Sequence, residues 1–242
     1  VSIHHLIIRG MLVGIVAGLL AFGFAKIFGE PQVDRAIAFE SAEAKAKGEA
    51  PDEELVSRQV QASIGLLTGV VVYGSALGGL FAIAFAACYG RFTKLSVKSA
   101  AALIALLGFI AVYVVPYLKY PANPPSVGEP ATIGMRTGLY FSMIVISLIA
   151  MVAAVSLKRL SEKRLGRWNA TVLGGVAFLV LIAIAQIALP AINEVPGEFP
   201  ASTLWQFRLA SLGIQAVLWT VIGLLFGELT DRSLRGGISR SA

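Results

Sequence analysis

The sequence predicts an all-α fold: a polytopic membrane protein built as a six-helix transmembrane bundle. Three observations carry that reading. Six apolar runs, at about 10–28, 63–89, 99–118, 134–157, 168–190 and 204–227, are near or above the ~20 residues a helix needs to cross ~30 Å of hydrocarbon. The runs lack the alternating period of barrel strands, so helices are left as the structure that satisfies its own backbone in lipid. Hydrophobic residues make up 57% of the 242-residue chain and charged residues 14%, with a mean hydropathy of +0.79, which excludes an ordinary soluble domain.

The first run follows Arg9 and is read as a retained helix, because no small-x-small cleavage site follows Phe28. Residues 29–62 are predicted as a periplasmic helical loop. Within it, Val33 to Ala46 reads as a short amphipathic helix, and 45–50 as an exposed turn. Pro51 then opens a second helix with Asp52, Glu53 and Glu54 in its first turn, where acids suit the helix dipole, and that helix is expected to run unbroken into the second span. The third run ends near Pro116 and the fifth near Pro190. The loops 90–98 and 158–167 are short and basic, the latter holding Lys158, Arg159, Lys163, Arg164 and Arg167 against Glu162 alone.

Charge sets the orientation. One side collects twelve of the 20 basic residues, including Arg9, Arg91, Lys94, Lys98, Arg232, Arg235 and Arg240, while the other carries 11 of the 14 acids. The positive-inside rule then places both termini in the cytoplasm. Topology explains the pI near 9.6, so no nucleic-acid partner is invoked. The single Cys88 excludes an intrachain disulfide framework.

Small residues mark the helix contacts. Gly10, Gly14 and Gly18 recur every four residues, as do Gly65–Gly69 and Gly74–Gly78, a spacing that lets backbones approach closely in lipid. Gly78-Gly79 and Gly174-Gly175 admit a second reading, local unwinding beside a substrate path.

The outer segments resemble one another. Gly29-Glu30-Pro31, Gly128-Glu129-Pro130 and Gly197-Glu198-Phe199-Pro200 each follow an outgoing helix, and Arg58, Arg136 and Arg208 lead into the returning ones. Two readings are open: three parallel helical hairpin repeats, or ordinary turn composition.

The stretches GMLVGIVAGLLAFGFAKIFGEPQVDRAIAFE at 10–40, PYLKYPANPPSVGEPATIGMRTGLYFS at 116–142 and LPAINEVPGEFPASTLWQFRLASLGIQAVLW at 189–219 resemble the CbtA family of cobalt transporter subunits. The likeness covers nearly the whole chain and is most specific at KYPANPP and NEVPGEFPA. It implies an inner-membrane subunit for uptake of a divalent metal, cobalt, acting with a small single-helix CbtB-like partner that carries a His-rich tail. The alternative is a non-transporting structural or assembly subunit of a larger membrane complex.

Candidate ligands are few. Glu30, Asp34, Asn123, Glu129, Asn193 and Glu198 gather on the predicted outer side, and His4 and His5 precede the first span. Oxygen ligands alone favour magnesium, calcium or manganese, whereas cobalt suits imidazole and mixed sites, so cobalt selectivity would need a partner's histidines. The competing reading is that these residues cap helices and form ion pairs with Arg58, Arg136 and Arg208. No cofactor is intrinsic to the chain and cobalt(II) would be cargo. The sequence has no phosphate-binding Gly-x-x-x-x-Gly-Lys-Ser/Thr loop and no nucleophile–base pair, so an enzyme is not expected.

Overall fold

A computed structural model describes residues 2–48, 56–91 and 95–238, with side chains to 235. Among these the chain is helical and without sheet. Five helices are long and apolar enough to cross a membrane: α1 Ile3–Lys47, α2 Arg58–Cys88, α3 Val97–Lys119, α4 Ile133–Ala188, preceded by a 3-10 turn at Pro130–Thr132, and α5, whose apolar part lies within Ala201–Arg235. Large apolar side chains point outward along them, with Ile64 and Leu179 67% exposed and Ile187 85% exposed. Water would not tolerate apolar faces of that extent, whereas lipid covers them.

The helices run on past their apolar cores. The first helix does not stop at Phe28: it passes through a π-helical turn, Ala25–Gly29, and continues as Glu30–Lys47 to an αL cap at Gly48, φ 72°. At 1.5 Å per residue its 45 residues are far longer than ~30 Å of hydrocarbon, so its polar C-terminal part stands outside. Gly29-Glu30-Pro31 is therefore not a loop corner. The π turn relaxes the backbone ladder just where Pro31 supplies no N–H, so the proline breaks nothing. The separate amphipathic helix read at 33–46 is the continuation of α1. The helix start read at Pro51 with Asp52, Glu53 and Glu54 lies outside the described residues, as do Lys94 and Arg240; α2 is described from Arg58, with a second π turn at Gln61–Gly65.

The basic segment 158–167 is also helical rather than a loop. Lys158 and Glu162 pair one turn apart at 2.6 Å, and Lys, Arg, Leu and Glu are good helix formers once lipid no longer selects for apolar residues. The break in α4 is Gly166, at φ 76°, ψ 165°, a backbone state open to glycine and strained for other residues. Pro116 likewise sits inside α3, which reaches Lys119 after a π turn at Phe109–Val114.

The chain divides into two compact units. The first joins Val1–Gly108, Pro124–Ser126 and Phe199–Ala242. Its central seam is α1 against α2: Gly10 faces Gly78, and Gly14 faces Gly74, backbone on backbone. A Cβ added at any of these four would fall under 3.0 Å from the opposing carbonyl oxygen. Gly65 and Gly69, which share the same spacing, are not on this seam: a Cβ at Gly69 would meet nothing within 4 Å. Helix α5 closes the unit, with Phe226 edge-on to Phe81 and Phe85 at 5.2 Å, and with Gly223 and Gly227 against Ala105 and Ala101 of α3.

The second unit, Phe109–Asn123 with Val127–Glu198, packs the end of α3 between the two halves of α4 around Val115, Met143, Ala150, Ile182 and Ala185. Gly174 lets the second half of α4 approach the carbonyl of Ala154 in the first. Gly78-Gly79 and Gly174-Gly175 are helical and not unwound; Gly78, Gly79 and Gly174 pack against neighbouring segments, whereas Gly175 faces open space. The Lys119 ammonium donates to the Gln186 carbonyl at 2.5 Å, and the Tyr120 hydroxyl donates to the Pro190 carbonyl at 2.8 Å, which latches α3 onto the end of α4.

Candidate functional site

Two polar constellations stand apart from the apolar helices, one in each unit. In the first unit, the π turn and the helix that follows it bring Glu30 and Asp34 one turn apart on the same face of α1. Arg58, the first residue of α2, meets both. Its Nη2 reaches Glu30 Oε2, and its Nε donates to Asp34 Oδ1 at 3.0 Å. Glu30 is buried, 9% exposed, so its charge needs this partner. Lys26, inside the π turn of α1, donates to the Ala62 carbonyl in the π turn of α2 at 2.9 Å. The two backbone irregularities are thus tied to each other by a cation. Arg35 donates to the side-chain oxygens of Gln32 and of Gln206 on α5, both at 3.0 Å.

In the second unit, Glu194 is the hub. Its Oε2 accepts from the Glu129 backbone N–H at 2.8 Å and from the Thr132 hydroxyl at 3.0 Å, and lies 3.4 Å from Arg136 Nε, an ion-pair distance. Arg136 also donates through Nη2 to the Glu129 carbonyl at 3.1 Å. Its guanidinium lies over Gly128, where φ is 116° and a Cβ would collide with it, so glycine meets two requirements there.

The arginine partners expected from sequence are met in part. Arg58 pairs with Glu30, an acid expected beside Arg136 or Arg208, and with Asp34. Arg136 takes the Glu129 carbonyl, but its carboxylate is Glu194, which the sequence reading passed over for its neighbours Asn193 and Glu198. The need of a half-buried arginine for an acid was the available signal. Glu129, Asn193 and Glu198 have exposed side chains, Asn123 is half-buried, and Arg208 is half-buried on α5. His4 and His5 lie in the first turn of α1, with ring centroids 3.9 Å apart and His4 Nδ1 2.5 Å from Ser2 Oγ. Among the described residues no group of three or more His, Cys, Asp or Glu is placed to hold a metal ion.

Glu194 titrates below the ordinary carboxylate range, first because it accepts the Glu129 backbone N–H, then the Thr132 hydroxyl, with the Arg136 charge adding to both. A carboxylate with a depressed folded pKa contributes fully above its unfolded value and loses that contribution as pH falls through the folded one. The clasp is therefore expected to hold through neutral pH and to open only at acid pH below the usual carboxylate range. The hydrogen-exchange protection factor of the Glu129 amide, followed against pH, should fall there, and in Glu194→Ala it should be low throughout. Protection that is independent of both would remove Glu194 as the hub.

A family model described as probable cobalt transporter subunit (CbtA) matches residues 3–231. The chain belongs to the CbtA family. No curated protein and no solved structure matches it. Membership makes it a membrane protein of a family of transporter subunits, and a CbtA subunit implies partner subunits. In each of the two clusters an arginine holds the best-buried carboxylate, Glu30 in one and Glu194 in the other.

Proposed function

We propose that this protein is the membrane-embedded subunit of a divalent-cation uptake system, with cobalt(II) as cargo. The observation that carries the reading is the family match along almost the whole chain, combined with helices whose apolar faces suit lipid. Partner histidines complete the metal chemistry: the chain's own oxygen donors are poor at selecting cobalt, and a small single-helix CbtB-like subunit with a His-rich tail supplies imidazole.

The chain crosses the bilayer six times, with both ends in the cytoplasm of a bacterial inner membrane. The helical stretch Pro130–Ala188 supports this count, because its 59 residues are about three times the length of a single crossing and Gly166 breaks it between two apolar halves. With cysteine placed at Lys45 or Lys163, a membrane-impermeant reagent added to intact cells should label position 45 and spare position 163. The opposite pattern would invert the topology.

Cobalt accumulation in cells expressing the protein, with and without the partner gene, tests the transport reading. Glu129 and Glu198 are the informative positions, since both side chains are exposed and the Glu194 clasp uses only the backbone of Glu129. Glu129→Gln and Glu198→Gln should each lower uptake at unchanged membrane abundance. Unchanged uptake in the double variant would assign them a structural role.

A second reading, a non-transporting structural subunit, is favoured by one observation. The carboxylates of Glu30, Asp34 and Glu194 are occupied by Arg58 and Arg136. No dependence of cobalt accumulation on the gene would decide for it.

A further inference from the structure

We infer that α1 and α5 form a binding site for one anionic phospholipid, with Arg9 holding the phosphate. A groove of about 430 Å³ runs between the two helices. Its walls are apolar, with Leu12 and Val16 from α1 and Leu225 and Leu229 from α5, and one end is lined by Arg9 and His5. A charged end continued by ~10 Å of apolar wall, from Arg9 to Val16 at 1.5 Å per residue, matches a lipid headgroup followed by the start of an acyl chain.

No carboxylate among the described residues compensates the charge at that end. Among the described residues the one polar partner of Arg9 is the buried Thr230 hydroxyl, which accepts from Nη1 at 3.1 Å. A guanidinium has five donors, so four remain. The acids nearby are committed elsewhere: Glu228 pairs with Lys98 and Arg232, and Asp231 pairs with Arg235 at 3.0 Å and Lys98 at 3.8 Å. An arginine without a carboxylate at the edge of the lipid attracts an anion, and phosphate is the group whose geometry suits it in both arms. The exposed His5 adds a donor at the same end. The site is independent of whether the protein moves cobalt.

Native mass spectrometry of the purified full chain, equilibrated with mixed phosphatidylglycerol and phosphatidylcholine, reads the occupant directly. The wild type should retain one phosphatidylglycerol in preference to phosphatidylcholine. Arg9→Gln should reduce that preference about tenfold, the loss of one charged hydrogen-bonding group, whereas Arg164→Gln, outside the groove, should leave it intact. Leu12→Trp fills the groove with Arg9 untouched and should abolish retention, which keeps the test decisive if Arg9→Gln does not fold. Equal retention of the two lipids, retention unchanged in both groove variants, or a single-helix protein in place of lipid would each overturn the assignment.

Discussion

Gly14→Val should abolish the folded protein, and Gly78→Val should do the same. A side chain at Gly14 would meet the backbone of Gly74 and Ser75, all under 3.0 Å from its Cβ, and one at Gly78 would meet the backbone of Gly10 and Gly14. A flexible side chain could move aside, but a helix backbone yields only by separating α1 from α2 along the seam. Overpacking of an ordinary core costs about 1–3 kcal/mol, and a backbone-to-backbone clash lies at or beyond the top of that range. The loss is comparable with much of the stability of a small domain. The control is Gly69→Ala, at a position with the same four-residue spacing and nothing within 4 Å. There the substitution should be neutral or mildly stabilising, since alanine is the better helix former by about 1 kcal/mol. Yield of monodisperse protein in detergent and its Tm would separate the two. Comparable losses at Gly14 and Gly69 would mean that helix conformation, not the close approach, makes these glycines necessary.

That contrast shows what the sequence made legible. Spacing finds small residues but not the face they occupy: Gly10, Gly14, Gly74 and Gly78 lie on the seam, whereas Gly65 and Gly69 do not. Apolar runs locate the helices well, because lipid demands them, and they locate the helix ends poorly. Residues 30–47 and 158–165 are polar and good helix formers, so α1 and α4 continue where the hydropathy falls. The π turns at 25–29 and 61–65 carry no pattern in composition. They depend on tertiary partners such as the Lys26 bond to Ala62, and they moved Gly29-Glu30-Pro31 from an expected corner into a helix. The likeness between the three Gly-Glu segments consequently does not extend to their local structure: the second and third lie in loops and the first does not. The site was half legible. An arginine near a helix end needs an acid, which points to Arg58 and Arg136 as paired residues without naming the partner of either. Which acid Arg136 finds depends on how 127–132 folds against 190–198, and that selects Glu194.

Arg58→Leu should be the most damaging single substitution among the charged residues. It strips the guanidinium from Glu30, which is 9% exposed, and from Asp34, whose side chain is 63% exposed and can turn to water. Removing one partner of a largely buried pair costs about 3 kcal/mol or more, because the remaining charge stays desolvated. Tm should fall accordingly, while Glu30→Gln in the same background should recover most of the loss, since a neutral amide can remain without a counter-charge. This double variant also divides the two readings of Glu30. If the carboxylate is structural, Arg58→Leu with Glu30→Gln should restore both the fold and cobalt accumulation per unit of membrane protein. If Glu30 gathers cations, the pair should restore the fold and leave uptake low, and an aspartate in place of the glutamine should raise uptake again. An Arg58→Leu variant as stable as the wild type would show that Glu30 is neutralised by something other than Arg58.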